Sequence, residues 1–197
     1  MDYFKPINGV MQEMKMNSAI RDRRIFINGT INEDTSFETC YFLNRLKDID
    51  DMEGKPYEER LPIYLIINSY GGSVIWGNAI LGVIEHFKSL GYEIIGVVQG
   101  FAYSMAFDIL ITCSKRYGYK MSDYMLHQTQ TGYYPDDLVS HERDIEYTKR
   151  QWEKSVDYYV ANTKISRERI KEVYEKRINW FMDAKEAEKL GIIDKII

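Results

Sequence analysis

Two apolar runs constrain the fold of this chain more than any other feature. IYLIIN (63–68) and the body of EIIGVVQG (93–100) are continuous stretches rich in β-branched residues. Short uninterrupted apolar runs are what strands covered on both faces look like. Each is followed by a turn of small residues and then an apolar segment of helical length, VIWGNAILGVIEHFKSL (74–90) and SMAFDILITCSK (104–115). Upstream, RRIFINGTI (23–31) reads as a strand ending in an Asn-Gly turn. It precedes SFETCYFLNRLKDI (36–49), where Phe37, Tyr41, Phe42 and Leu46 share one helix face. Strand and helix alternate, so an α/β fold of repeated β-α units with right-handed crossovers is expected. The chain has 197 residues, enough for one sizeable core and short for two domains.

Further along, residues 116–129 read as two short strands around Ser122-Asp123. The texture then changes. DDLVSHERDIEYTKRQWEKSVDYYVANT (136–163) predicts a long charged helix with Val139, Ile145, Trp152, Val156 and Tyr159 as apolar positions. Such a helix either projects and packs on a partner or forms a solvated outer layer, and the sequence favours neither. Ser166 and Asp183 are placed as N-caps of two further helices. IIDKII at the end predicts one more strand. Residues 1–21 show weak periodicity and read as an arm, ahead of one domain over 22–197.

Composition narrows the function classes. A formal net charge of −4 argues against a general nucleic-acid binder. No apolar run reaches membrane-span length, and MDYFKPINGVMQEMKMNSAIRDRR lacks the apolar core of a signal peptide, so a cytosolic protein with no membrane partner is expected. Cys40 and Cys113 form no CxxC pair and read as buried free thiols. No metal or cofactor is expected. The phosphate-loop and dinucleotide glycine spellings are both absent.

Chemistry concentrates at the two strand-to-helix turns. Gly71-Gly72-Ser73 lets backbone approach a ligand closely and supplies free N–H groups, as an oxyanion hole requires. Ser73 itself reads as an N-cap. In Gly100-Phe101-Ala102-Tyr103-Ser104-Met105, the serine stands at the mouth of an apolar helix, with the Met105 N–H at the positive end of its dipole. That arrangement has the mechanics of a nucleophile elbow without the GxSxG spelling, and an N-cap serine explains it equally well. A serine nucleophile needs a base. Of the three histidines, His86 and His141 lie on polar helix faces. His127 ends the apolar strand Tyr-Met-Leu-His and enters a polar loop, where a catalytic group carried on a strand would sit; a structural hydrogen bond is the alternative.

Together these stretches resemble the Clp proteolytic subunit family of serine peptidases. RRIFINGTIN, INSYGGSVIWGNAI, GFAYSMAFDIL, YMLHQT and FMDAKEAEKLGIIDKI follow the family's order from about residue 22 to residue 197. The resemblance implies a crotonase/ClpP-like fold with a protruding handle over about 128–163. It implies Ser104 as nucleophile, His127 as base, and the N–H groups of Gly72 and Met105 as the oxyanion hole. The strand at Gly71, Gly72, Ser73 and Val74 would bind polypeptide substrate as an added β-strand. It further implies a homo-oligomeric ring, a heptamer or a stacked tetradecamer, served by an AAA+ unfoldase that would use the ATP.

Three departures qualify that picture. The family's triad aspartate matches Asn179 here, with Trp180 where arginine is usual. An asparagine can accept a hydrogen bond from imidazole but brings no charge, and Asp→Asn in a serine triad costs roughly 10⁴-fold in turnover. Asn179 therefore orients His127 in a slow peptidase, or Asp183 or Asp123 substitutes, or the chain is a weakly active or regulatory relative. The glycine-rich strand that helps join rings reads QTGYYPDDL, where Pro135 removes a ladder donor. The N-terminal segment also differs. The rivals to a ring peptidase are a non-catalytic structural subunit, a crotonase-like acyl-CoA enzyme sharing the fold, and a divergent peptidase with a private duty such as capsid processing.

Overall fold

The computed structural model describes residues 5–128 and 138–197. A seven-stranded sheet forms the frame. Strands β1 (Arg24–Ile31), β2 (Ile63–Gly72), β3 (Ile94–Tyr103), β4 (Lys115–Gly118) and β7 (Lys195–Ile196) lie side by side in that order. All of these neighbours pair in parallel. Parallel strands must be joined by crossovers. Helices α2 (Glu33–Met52), α3 (Val74–Ser89) and α4 (Met105–Thr112) provide them between successive strands.

One face of the sheet carries the main core. Ile25, Ile27 and Ile31 of β1, Ile63, Leu65 and Ile67 of β2, and Ile94 and Val98 of β3 alternate along their strands into it. Phe42, Leu43 and Leu46 of α2, Ile80, Ile84 and Phe87 of α3, and almost all of α4 fill the other side. Coverage of the sheet is unequal, contrary to the expectation for IYLIIN. On the opposite face, among the described residues, a small cluster of Ile66, Ile95 and Val97 is buried, with Phe26, Tyr64 and Tyr117 packed against it. The aromatic rings do there what a helix layer would do elsewhere.

β3 is used twice. Its first half, Ile95–Val98, pairs with β4, and its second half, Phe101–Tyr103, pairs with β5 (Asp123–Leu126). β5 in turn pairs antiparallel with β6 (Trp180–Asp183), an element whose four residues carry no strand pattern of their own. This side branch carries the sheet beyond the ends of the main strands and positions the site.

Residues 5–21, expected as an arm, form helix α1 (Lys5–Arg21), with Ala19 buried in the core. Just beyond it, the Arg23 guanidinium grips the buried Asp50 carboxylate with two bonds of 3.0 and 2.9 Å. The long helix α5 (Leu138–Asn162) docks by its C-terminal half, through Trp152, Val156 and Tyr159. Trp152 stacks on Tyr174 of α6 (Arg167–Glu175) with ring centres 4.4 Å apart. Ile145 and Tyr147, nearer its start, are exposed. The segment QTGYYPDD with Pro135 lies outside the described residues. Ser73, Ser166 and Asp183 each cap a helix, accepting from the backbone N–H three residues on. Asp183 starts α7 (Ala184–Lys189).

Candidate active site at the ends of three strands

Three strand ends meet beside one cavity. β3 ends at Tyr103, and the ladder with β5 continues one step further because the Ser104 N–H donates to the Met125 carbonyl at 2.9 Å. β5 ends at Leu126, so His127 leaves the sheet next to Ser104. Their side chains meet: His127 Nε2 lies 2.8 Å from Ser104 Oγ. The contact joins a hydroxyl at a helix mouth to an imidazole at a strand end. Ser104 precedes α4, yet its side chain makes no capping bond. Its backbone sits at φ +53° and ψ −125°, a conformation that a non-glycine residue adopts only under constraint. The sharp turn aims the hydroxyl at the imidazole and away from the helix.

The diglycine of β2 forms the other wall. Gly71 has φ +86° and Gly72 φ +151°, both disfavoured for a residue with a side chain. Their second reason is closeness. A Cβ on Gly71 would fall 2.8 Å from Ser104 Cβ and 2.9 Å from Met105 N. A Cβ on Gly72 would run into the backbone of Ile31. The neighbours of Gly72 spend their N–H groups inside the protein, Gly71 on Ser69 Oγ at 3.1 Å and Ser73 on the Ile31 carbonyl at 2.9 Å. Met105 is the first residue of α4, where helix N–H groups lack intrahelical acceptors. Gly72, Met105, Ser104 and His127 line the same cavity. Ser73 caps α3 and Val74 is partly exposed at the mouth. The last pairing between β2 and β3 is Ser69 with Ala102, so among the described residues Tyr70–Gly72 has no strand on its β3 side.

Asn179 is brought near but not joined. The β5–β6 pairs run from Asp123 with Asp183 to Leu126 with Trp180, so the next step of the register sets His127 against Asn179. The Asn179 side chain is exposed, and no described residue hydrogen-bonds His127 except Ser104. The substitute acids are engaged elsewhere. Asp183 accepts from the Glu186 N–H at 2.8 Å, and Asp123 accepts from the Tyr103 hydroxyl at 3.4 Å. In keeping with this, burial alone lowers the pKa of His127, and no carboxylate raises it. Trp180, in place of the family's arginine, lies under the Arg169 guanidinium at 4.3 Å. His86 is exposed on α3, and the side chain of His141 lies outside the described residues.

Comparison with known proteins gives the family. A family model described as Clp protease matches residues 8–197. The chain belongs to the Clp protease family. Among its relatives, the ATP-dependent Clp protease proteolytic subunit 3 of Streptomyces avermitilis is 26% identical over 98% of this chain and 82% of its own length. The ATP-dependent Clp protease proteolytic subunit 1 of Chlamydia trachomatis serovar D is 30% identical, covering 95% of this chain and 92% of its own. The ATP-dependent Clp protease proteolytic subunit of Atropa belladonna is 30% identical over 91% and 86%. At these identities a Clp protease chain has room for its own site chemistry.

One such residue escaped sequence reasoning. Asp108 lies one helical turn below Ser104 on the wall of the same cavity, which encloses about 900 Å³. Its sequence signal is plain in retrospect: MAFDILIT is otherwise apolar and deeply buried, and a lone carboxylate there needs a reason.

Proposed function

We propose that this chain is the peptidase subunit of a Clp-type protease and cleaves polypeptides through an acyl-enzyme on Ser104. The 2.8 Å contact between His127 Nε2 and Ser104 Oγ carries this reading. His127 Nε2 takes the hydroxyl proton as Oγ attacks the peptide carbonyl carbon. The oxygen, now negative, meets the N–H groups of Gly72 and Met105. His127 then gives its proton to the departing amine, and water releases the acyl group by the same route in reverse. Substrate backbone adds to the open edge at Tyr70–Gly72. The chain assembles as a homo-oligomeric ring, a heptamer or a stacked pair, and an AAA+ unfoldase feeds it folded substrates. Neither proposal needs a nucleotide site in this chain.

The cost falls on the imidazolium. No carboxylate stabilises it, so turnover below that of a full triad is expected, by up to roughly 10⁴-fold. The same observation favours a second reading, a weakly active or non-catalytic ring subunit. A fluorophosphonate separates the two. Covalent labelling at Ser104, read by mass spectrometry and absent in Ser104→Ala, supports the peptidase. Faster labelling in Asn179→Asp is expected, because a carboxylate one step beyond the Leu126–Trp180 pair adds negative charge near His127. An unlabelled Ser104 in the intact assembly would sink the peptidase reading in favour of the structural subunit.

A further inference from the structure

The cavity runs inward from Ser104 between α3, α4 and α5, and its charges are few. Glu85 of α3 is already paired: it accepts from Lys88 Nζ at 2.9 Å and from the Tyr158 hydroxyl at 2.8 Å. Lys154 of α5 has an exposed side chain. His127 is kept towards its neutral form by burial. Asp108 is different. Tyr159 donates to its Oδ1 at 2.7 Å, and Oδ2 takes no hydrogen bond from any described residue. The residue as a whole is only partly buried and lines the cavity. No cation among the described residues pairs with this carboxylate. Burial pushes its pKa up to about 6, and a cation beside it would favour the charged form.

We propose that the cavity below Ser104 recognises a positively charged side chain, with Asp108 as the recognising carboxylate. In the peptidase reading on which the substrate assignment rests, that side chain is a lysine or arginine on the acyl side of the cleaved bond. The spacing fits. Four residues of helix set Asp108 about 6 Å along the axis from Ser104, comparable to the reach of an extended lysine stem. An apolar side chain entering the cavity would strip water from Asp108 and leave its charge unpaired, whereas a cation would pair it. A purely structural role, tying α4 to α5 through Tyr159, requires only an acceptor, and asparagine supplies one.

Two measurements test this. First, benzamidine and its neutral analogue benzamide are titrated by calorimetry into the Ser104→Ala protein, which keeps the cavity and cannot be acylated. Preferential binding of benzamidine, weakened tenfold or more by adding Asp108→Asn and kept by Asp108→Glu, is the expected result. Equal binding of the two probes, no binding of benzamidine, or indifference to Asp108→Asn overturns the inference. Second, peptides with lysine or norleucine before the cleaved bond are compared. The lysine peptide is expected to lead in kcat/KM by at least tenfold, and to lose that lead in Asp108→Asn while Ser104 still takes the fluorophosphonate. Labelling without a lysine preference would remove the inference and leave the peptidase. Asp108-dependent benzamidine binding without labelling would do the reverse. Thermal melts of both Asp108 variants separate lost recognition from lost folding.

Discussion

In the proposed mechanism Ser104, His127 and Asn179 each make a separate demand on the site. Holding Ser104 at positive φ costs on the order of 1–3 kcal/mol, and the surrounding strands and helix supply the constraint that maintains it. For His127 the sign of the pH dependence follows from its environment. Only the neutral imidazole can take the serine proton, and burial lowers its pKa from the ordinary value of 6.5. Activity should therefore persist as pH falls below 6.5 and be lost only towards the depressed value. The acid limb of kcat/KM measures this directly. A carboxylate at position 179 favours the imidazolium, so Asn179→Asp should move that limb to higher pH while raising the plateau. A limb that stays in place would mean that residue 179 does not reach His127. The same shift bears on folding. A histidine whose folded pKa is depressed resists protonation in the native state, so its contribution to stability holds above pH 6.5 and falls away below it.

At the scale of elements, the site depends on how closely β2 passes the turn between β3 and α4. Gly71→Ala places a Cβ 2.6 Å from the Tyr103 carbonyl oxygen and 2.9 Å from Met105 N, at a φ of +86°. Neither contact is with a flexible side chain that could swing away. Gly71→Ala should cost more than about 1 kcal/mol in urea unfolding, and should slow fluorophosphonate labelling, because relief requires moving the Ser104 turn. Wild-type stability with unchanged labelling would show that β2 can retreat without cost. Element boundaries were legible wherever side chains announce them. The caps at Ser73, Ser166 and Asp183 each accept the bond expected from their position. β6 was not legible, since Trp180–Asp183 becomes a strand only by pairing with β5. α1 was hidden for a similar reason: its periodicity is weak, and packing on the core at Ala19 holds it.

For the whole molecule, assembly is the open consequence of the proposed function. Several large apolar side chains remain exposed on the single chain, among them Phe37 of α2, Ile75 and Trp76 of α3, Tyr70 of β2 and Phe181 of β6. The Ser36 hydroxyl donates to the Trp76 carbonyl at 3.0 Å, which sets the starts of α2 and α3 side by side. Light scattering in solution should give a mass several times that of the 23.3 kDa chain. A stable monomer at micromolar concentration would contradict the ring. Among the described residues, no helix is long and apolar enough to cross a membrane.

The sequence by itself determined the frame: short β-branched apolar runs alternating with longer amphipathic segments read as strands and helices of an α/β fold. It also brought Ser104, His127 and the diglycine into view, because small residues after a strand and a histidine at a strand end have few uses. Tertiary structure alone decided which of those residues meet. Whether Ser104 caps a helix or faces a base is a matter of where β5 ends relative to β3, and these strands are separated by α4 and β4 in the chain. Whether Asn179 touches His127 depends on a side-chain direction that register does not specify. That Asp108 faces a cavity and not a salt bridge depends on α3 and α5 closing around it. Local pattern encodes burial and element type; contacts between distant residues appear only when the sheet and its helices have packed.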